Sequence, residues 1–319
     1  MFVDLTRLQE FEEQFDPRRP ENGRIPARVL GFGEISAVLS IPDIDDSLAF
    51  KRMPMFENEA EVAAYTALYR EEMVLLEEEV GLNVAAGELA QVSGRNGRPV
   101  LYLIQPKLPV HTIVHKAIHA LPAEGERGVF TAVLRQIRQL FAFNQTHQGQ
   151  LEIGLDAQLS NWAIADWENA AEPLPDPIRL IYFDTNTPLL QKNGVEQLDP
   201  ELFLRSAPSF LVPIVRHFFL EDVLTRYYNL HLVIVDLIAN LYKEQRGDLV
   251  PAFIAQANTF LAESGLPHNQ PITAKEVQSY YREDAFIWRL YLTLRKTDRT
   301  LYRLRGKPYP YVLPEKIQR

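Results

Sequence analysis

Three oxygen-bearing side chains stand at intervals that suit metal and proton chemistry. Asp156 lies in the segment GLDAQLSNWAI, Asn161 follows it in the same segment, and Asp184 comes directly after the apolar run LIYF. A carboxylate can accept or orient the proton of a hydroxyl group, and carboxylate and amide oxygens are ligands that Mg²⁺ accepts. Because Asp and Asn are also common at turns, the interpretation depends on the residues that accompany these three.

A second group of residues, upstream, has the types that bind phosphate. Gly31 and Gly33 stand in the segment GFGEISAV, with Ser36 in the same turn, between two runs of β-strand character. Because glycine has no Cβ, such a backbone can fold closely over an anion and aim its N–H groups at the oxygens. Lys51 ends the segment SLAFK, and its ammonium is a compact charge suited to phosphate.

Hydrophobic periodicity predicts the elements that must position these residues. A helix is expected over residues 1–15, paired strands flank the glycine turn within 25–39, and a third strand covers 47–52. A long helix over about 58–79 ends at Gly81, and strands over 88–92 and 100–104 form a hairpin. Residues 105–109, QPKLP, are predicted to form a semi-rigid connector between two lobes.

Helical periodicity dominates beyond that connector. We expect a helix over 129–143, long helices across 200–300, and a hairpin between Asn161 and Asp184 with the insertion 166–177 at its tip. The tail 306–310 is predicted to be extended and packed against a lobe. The chain thus divides into an N-terminal helical extension (1–23), an N-terminal nucleotide-binding lobe (24–106) and a helical C-terminal lobe (107–319).

In this order of elements the chain resembles the protein-kinase-like superfamily, and within it the branch of aminoglycoside and choline phosphotransferases. The resemblance covers residues 24 to about 190. It implies an α+β, bilobal protein-kinase-like fold, with an N-terminal antiparallel sheet plus one long helix and a mostly helical C-terminal lobe. It also implies ATP- and Mg²⁺-dependent transfer of phosphate to a hydroxyl group of a small molecule. The sequence does not identify that acceptor.

The resemblance further implies a role for each candidate residue. Asp156 would be the catalytic base, and Asn161 and Asp184 would bind Mg²⁺. Lys51 would contact the nucleotide phosphates, and Gln105 would contact the nucleotide from the connector. The glycine turn, with Gly31, Gly33 and Ser36, would cover the phosphates.

In this family a glutamate of the long helix orients the strand lysine. Glu72 is favoured for this role, because Leu76 follows it where the family pattern has an apolar residue. Glu71 and Glu61 remain alternatives, since each would also stand on the predicted helix.

Several residues depart from the family pattern. Gly154 stands where kinases have histidine, two residues before the candidate base, and Leu155 and Gln158 replace the arginine and lysine of protein kinases. Ser36 occupies the place of the third glycine. These differences argue against a protein kinase and leave two alternatives: a kinase-fold protein that binds nucleotide or a partner without turnover, and an α+β protein that uses no nucleotide.

Composition excludes several other classes. The formal net charge of -9 disfavours nucleic acid as a partner, because binding to a phosphate backbone needs a basic surface. The absence of cysteine excludes disulfides, thiolate metal sites and cysteine nucleophiles. No apolar run is long enough to span a membrane, and no secretory signal is visible at the N-terminus, so we expect a cytoplasmic protein. The oligomeric state stays open.

Two further patterns have simple structural interpretations. His111, His115 and His119 recur every four positions, but no carboxylate has matching spacing, so a solvated or lobe-facing stripe is favoured over a metal site. A group of aromatic residues in the C-terminal lobe is expected to be helix core, or else the wall of a pocket whose two neighbouring acids contact a cationic acceptor. Its members and the two acids beside them are Phe218, Phe219, Tyr227, Tyr228, Glu221 and Asp222.

Overall fold

The computed structural model describes residues 3–33, 36–205, 225–267 and 270–315. Its helices are α1 Leu5–Gln14, α2 Pro42–Asp45, α3 Glu59–Val74, α4 Val114–Ala117, α5 Ala123–Thr146, α6 Glu201–Leu204, α7 Leu230–Lys243, α8 Val250–Glu263 and α9 Ala274–Leu304. Its strands are β1 Arg28–Phe32, β2 Ala37–Ile41, β3 Asp46–Met53, β4 Glu88–Ser93, β5 Pro99–Pro106, β6 Leu151–Ile153, β7 Trp162–Ile164, β8 Leu180–Tyr182, β9 Leu190–Lys192 and β10 Val195–Glu196.

The first half of the chain forms a five-stranded antiparallel sheet. Its strand order is β1-β2-β3-β5-β4, so the strand that carries Lys51 lies in the middle of the sheet. Asp4 caps helix α1, because its side chain accepts hydrogen bonds from two N–H groups of the first turn. It buries Leu8 and Phe11 in the same core as Phe50 and Tyr102 of the sheet. The predicted N-terminal extension therefore packs as part of this lobe.

The long helix predicted between the third and fourth strands is present as α3. Asn58 caps its first turn, because its side chain accepts a hydrogen bond from the N–H of Glu61. After Val74 the helix widens into a π-helical turn over Leu75–Val80 and ends at Gly81, whose φ is 79°. Only glycine adopts such a φ at no steric cost, which explains why the helix stops at this residue.

The second half is mostly helical around one apolar core. Helix α5 contributes Val133 and Ile137, and α7 contributes Ile234 and Leu237, all fully buried. Two small antiparallel ladders lie in this lobe, one of order β10-β9-β6 and one formed by β7 and β8. The predicted hairpin between residues 161 and 184 is thus confirmed, with register Trp162↔Tyr182.

The chain returns to the first lobe at its end. Beyond α9, Tyr309, Tyr311 and Leu313 are buried against one another, and Val312 joins the core under the sheet. Arg52 of β3 donates a hydrogen bond to the carbonyl of Pro310 at 2.7 Å. The predicted packing of the tail against a lobe is confirmed, and that lobe is the N-terminal one.

This architecture is the bilobal protein-kinase-like α+β fold. A sheet of order β1-β2-β3-β5-β4 with one long helix between its third and fourth strands is followed by a helical lobe that contains the two-stranded hairpin. The predicted connector is shorter than expected, because Gln105 and Pro106 belong to β5 and the next helical turn begins at Val110, which leaves residues 107–109 to link the two halves. Within the described ranges, no helix has both the length and the apolar character needed to cross a bilayer.

Two secondary patterns from the sequence have different outcomes. The three histidines do not share one helix face, because α4 has only four residues and His111 lies in a separate 3-10 turn, where its Nε2 is 2.9 Å from the carbonyl of Trp167. Within the aromatic group, Phe218 and Phe219 lie outside the described residues, as do Glu221 and Asp222.

Candidate active site

The β7–β8 hairpin brings the two predicted metal ligands to the same end of one element. The N–H of Phe183 donates to the carbonyl of Asn161 at 3.1 Å, just beyond the last paired strand residues. Asp184 follows Phe183 directly, so its backbone lies next to that of Asn161 at this end of the hairpin. The hairpin is also held by the segment that follows α3. The N–H of Tyr182 donates to the carbonyl of Asn83, and the carbonyl of Tyr182 accepts from the N–H of Ala85.

The loop that carries Asp156 folds back on Asn161. The side-chain Nδ2 of Asn161 donates to the carbonyl of Asp156 at 3.0 Å. This hydrogen bond fixes the orientation of the amide, so that the Oδ1 of Asn161 is the atom that could bind a metal ion. The N–H of Gln158 approaches Oδ1 of Asp156 at 3.3 Å. These local hydrogen bonds hold the candidate base and one candidate metal ligand in a fixed relation.

The Asp156 carboxyl group has an unusual protonation equilibrium. Burial raises its pKa to about 7, and the negative charges of Asp236 and Asp184 reinforce this shift. The positive charge of Arg226 and the Gln158 N–H oppose it. A carboxyl group with a pKa near neutrality can both accept and return a proton under physiological conditions.

Lys51 joins this cluster from the other lobe. Its Nζ donates to Oδ1 of Asp184 at 3.2 Å and to the carbonyl of Phe183 at 2.7 Å. Burial lowers the pKa of the ammonium group, and the neighbouring Asp184 carboxylate opposes that shift. The structure therefore brings Lys51, Asp156, Asn161 and Asp184 together at the junction of the lobes.

The expected contact between Lys51 and a glutamate of α3 is not made, and this part of the sequence interpretation is wrong. Glu72 is buried, but its Oε1 accepts a hydrogen bond from the N–H of Leu189 at 2.7 Å. Burial raises the pKa of Glu72 to about 8, so at neutral pH the side chain is mainly uncharged and has little tendency to form an ion pair. The two alternatives pair elsewhere, Glu61 with Arg205 and Glu71 with Lys192.

The glycine turn lies over the segment that follows Asp184. The N–H of Gly33 donates to the carbonyl of Ser36 at 3.0 Å, and a Cβ on Gly33 would lie 2.7 Å from the Ser36 hydroxyl. That hydroxyl accepts a hydrogen bond from the Asn186 amide at 3.4 Å. A Cβ on Gly31 would meet nothing closer than 3.8 Å, so packing does not require a glycine there. Residues 34 and 35 of this turn are outside the described ranges.

Gln105 lies deeper than a residue of the lobe connector is expected to lie. Its side chain is buried, with Nε2 3.4 Å from the hydroxyl of Thr185 and 3.5 Å from the carbonyl of Ala85. It therefore contacts the segment after Asp184 from the sheet side. Its predicted contact with a nucleotide remains a prediction.

The sequence interpretation missed a backbone contact that supports the Asp156 loop. The N–H of Gly154 donates to the carbonyl of Leu189 at 2.9 Å, and the N–H of Leu155 donates to the carbonyl of Tyr227 at 3.0 Å. A Cβ on Gly154 would lie 2.8 Å from Cβ of Leu189. The replacement of the family histidine by glycine was a visible signal, because glycine often marks a close backbone approach.

The oxygen ligands at this site fit a Mg²⁺ ion whose remaining ligands would come from water and from the phosphates of a nucleotide. Asp184, whose side chain is 38% exposed, and the Asn161 amide provide hard oxygen donors. Mg²⁺ usually takes only one or two carboxylates and completes its shell with water and phosphate oxygens. Across the described ranges, no three His, Cys, Asp or Glu side chains are grouped to hold a metal by themselves. The Lys51 ammonium, beside Asp184, suits the phosphates of the same nucleotide.

Comparison with solved structures finds distant likenesses of low sequence identity. The structure of WaaP in complex with acyl carrier protein has a TM-score of 0.33 at 12% identity, and the match covers 83% of this chain and 100% of that one. The GDP and kanamycin complex of APH(2")-IIIa has a TM-score of 0.36 at 10% identity, covering 82% and 99% of the two chains. The GDP complex of wild-type aminoglycoside 2'-phosphotransferase-IIIa has a TM-score of 0.35 at 11% identity, covering 77% and 94%.

Comparison with known sequences leads to one family. No curated protein matches the sequence. One family model matches it over residues 24–299, a range that includes every candidate residue of the site. The chain therefore belongs to the family described as "Family of unknown function (DUF6206)".

Proposed function

We propose that this protein is an ATP- and Mg²⁺-dependent phosphotransferase that phosphorylates a hydroxyl group of a small molecule. The observation that carries the proposal is the meeting of Lys51 with Asp184 across the lobes, next to Asn161 and the raised-pKa carboxyl group of Asp156. Phosphoryl transfer needs little covalent chemistry from a protein, and it depends on positioning and on compensation of charge. The cytoplasm, where ATP is available, is the corresponding proposed location.

Each side chain has one task in this proposal. Lys51 and the N–H groups of the glycine turn hold the phosphates, and Asn161 and Asp184 hold Mg²⁺. When bound, Mg²⁺ supplies charge neutralisation on the transferred phosphate and the leaving diphosphate. Asp156 orients the acceptor hydroxyl and takes its proton as the new oxygen–phosphorus bond forms and the bond to ADP breaks.

The acceptor is proposed to enter between α7 and α9, on the Asp156 side of the cluster. Gln158 lies against the α7 side of this space, since it donates to Asp236 at 3.2 Å and accepts from Asn240 at 3.0 Å and Lys243 at 3.3 Å. Tyr280 and Tyr281 of α9 line the gap on its other side, and its free volume is only about 10 Å³, room for one water molecule, so side chains must move to admit an acceptor. Oδ1 of Asn240 is buried and accepts no hydrogen bond from any residue that the structure describes, which favours an acceptor that brings hydroxyl or amino hydrogens.

The central experiment measures conversion of ATP to ADP with pooled hydroxyl-bearing acceptors. Asp156→Asn is expected to lower the rate by about 10²- to 10⁴-fold, the usual contribution of a general base, with nucleotide affinity nearly unchanged. Asp184→Ala is expected to remove the Mg²⁺-dependent part of nucleotide binding, measured by thermal shift. Equal turnover in both variants and the parent would contradict the assigned roles, and binding without turnover would identify a nucleotide-binding protein instead.

The pH dependence gives a second test. With a pKa of about 7, Asp156 loses its proton-accepting form as the pH falls, so the rate should fall below pH 7. Stability should change in the opposite sense. A carboxyl group whose pKa is raised on folding contributes stability fully at low pH and loses that contribution as the pH rises through the folded-state value. Asp156→Asn should therefore melt at a higher temperature than the parent at pH 8, and at nearly the same temperature at pH 4.

A further inference from the structure

One face of α3 contacts the segment that follows Asp184. Tyr65 donates from its hydroxyl group to the carbonyl of Asn186 at 2.9 Å, and Glu72 accepts from the N–H of Leu189 at 2.7 Å. Between them, Tyr69 shares a hydrogen bond with Thr185. Positions 65, 69 and 72 lie on one side of a helix because of its period of 3.6 residues. The helix therefore holds this segment along its length.

Leu189 extends that contact to the loop of the candidate base. While its N–H donates to Glu72, its carbonyl accepts from the N–H of Gly154 at 2.9 Å. Gly154 lies two residues before Asp156, and a Cβ at this position would meet Leu189 at 2.8 Å. A single backbone unit thus joins α3 to the segment after Asp184 and to the loop with Asp156.

Glu72 makes this contact without a cationic partner. Among the residues that the structure describes, the nearby cations form ion pairs with other carboxylates: Lys51 with Asp184, and Lys192 with Glu71. The titratable groups that face Glu72 are a carboxyl group and four phenols, namely Glu196, Tyr65, Tyr69, Tyr182 and Tyr228. None of these groups supplies a positive charge. A side chain in this setting acts through hydrogen bonding and not through charge.

We propose that Glu72 is a positioning residue which, as a hydrogen-bond acceptor for Leu189, fixes the Asp184 segment and the Asp156 loop together. This inference rests on the proposed function for its catalytic consequence, whereas the contact itself can be tested without turnover. It differs from a role in orienting Lys51. An ion pair with Lys51 would require the negative charge of Glu72, while the contact with Leu189 requires only an oxygen atom at the position of Oε1.

Substitution by glutamine separates the two roles. Glu72→Gln keeps a carbonyl oxygen and removes the charge, whereas Glu72→Leu keeps the size and removes the acceptor. We expect Glu72→Gln to retain turnover within about threefold of the parent, and Glu72→Leu to lower it by about 10²-fold, as a misplaced site would. Glu71→Gln, which changes an exposed neighbour paired with Lys192, is the matched control and should leave turnover unchanged.

Hydrogen exchange at the Leu189 amide reports the contact directly. Exchange should be about tenfold faster in Glu72→Leu than in the parent, the effect of losing one hydrogen bond, and should be unchanged in Glu72→Gln and Glu71→Gln. Retained protection in Glu72→Leu would overturn the proposed contact. This readout is independent of ATP, so it remains decisive if the parent protein proves to have no phosphotransferase activity and the proposed function fails.

A third measurement uses thermal stability against pH. Because burial raises the pKa of Glu72 to about 8, its stabilising contribution is complete below about pH 4.5 and is lost as the pH rises through 8. Glu72→Gln should therefore gain in melting temperature over the parent between pH 6 and pH 9. Loss of turnover in Glu72→Gln as severe as in Glu72→Leu, with the Leu189 amide still protected, would show that the charge matters and would overturn the inference while leaving the proposed function intact.

Discussion

The two faces of β3 carry buried cations in contrasting environments. Lys51 and Arg52 are consecutive, so their side chains point to opposite faces of the sheet. Arg52 donates to both carboxylate oxygens of Glu12, at 2.6 and 2.8 Å, and Tyr102 donates to the same carboxylate at 2.5 Å. Lys51 has one carboxylate contact, at 3.2 Å, with the partly exposed Asp184.

The two cations respond to burial in opposite ways. The paired Glu12 carboxylate, acting against the burial cost, holds the pKa of Arg52 above its ordinary value. Burial lowers the pKa of Lys51, because Asp184 compensates only in part. A buried cation whose burial cost is offset by protein partners contributes to the stability of the fold. A buried cation whose burial cost is only partly offset can still gain from an anionic ligand, and such groups are candidates for functional sites. The back of the sheet is thus a structural ion pair, and the front is suited to binding phosphate.

Breaking the back pair should have the largest effect. Glu12→Gln removes the carboxylate charge and leaves the Arg52 cation buried, which is expected to lower the free energy of unfolding by about 3 to 5 kcal/mol. Denaturant unfolding measures this change. Glu13→Gln, at the exposed neighbour, should change it by less than about 0.5 kcal/mol. A Glu12→Gln protein as stable as the parent would remove the distinction between the two faces.

Removal of the front cation should affect activity more than stability. Lys51→Met removes a buried positive charge and, with it, the free-energy cost of keeping that charge away from water. Asp184 remains partly exposed to water, so the free energy of unfolding should change by only about 1 kcal/mol. The rate of phosphoryl transfer should fall by about 10²- to 10³-fold, the usual cost of losing one preorganised donor. The exposed ion pair of Lys192 provides the control variant Lys192→Met, which should change neither quantity appreciably. A large loss of stability in Lys51→Met would make the front cation structural as well.

A smaller effect should follow from crowding the front of the cleft. Gly154→Ala would bring a methyl group to 2.8 Å from Cβ of Leu189, and the loop must move to relieve this contact. The expected loss is about 1 to 3 kcal/mol of unfolding free energy, with a lower turnover because Asp156 moves with the loop. In contrast, the new methyl group of Gly31→Ala would lie at ordinary contact distance, 3.8 Å from the Val38 side chain, and this variant should retain full stability. Equal melting temperatures for the two variants would contradict the close approach of the loop to Leu189.

Much of the fold could be predicted from the sequence because its signals are local. Strand alternation and glycine turns identified the sheet, and an unbroken helical stretch ending at Gly81 identified α3, whose observed body is Glu59–Val74. The close spacing of Asp156 and Asn161 in the sequence likewise corresponds to a direct contact in the structure, because the Asn161 side-chain amide donates to the Asp156 carbonyl. Within such spans, side-chain type and spacing determine the geometry.

The partners of the buried acids could not be predicted in the same way. The partner of Glu72 is a backbone N–H that lies 117 positions away in the chain, and every residue except proline carries such a donor. Glu71 and Glu72 are neighbours on one helix, and only the packing of the lobes shows which of them faces the interior. The Arg52 and Glu12 pair is similar, since its members are separated by 40 positions and by a change from helix to strand.

The amino-acid sequence by itself determined which elements form and which polar residue types are available near the junction of the lobes. Tertiary structure alone decided how those groups are paired: Lys51 with Asp184, Glu72 with the backbone of Leu189, and Arg52 with Glu12. The physical reason is that helix and strand formation depends on neighbours a few residues apart. The protonation and pairing of a buried group depend instead on which distant atoms exclude water from it and which of them can donate or accept a hydrogen bond.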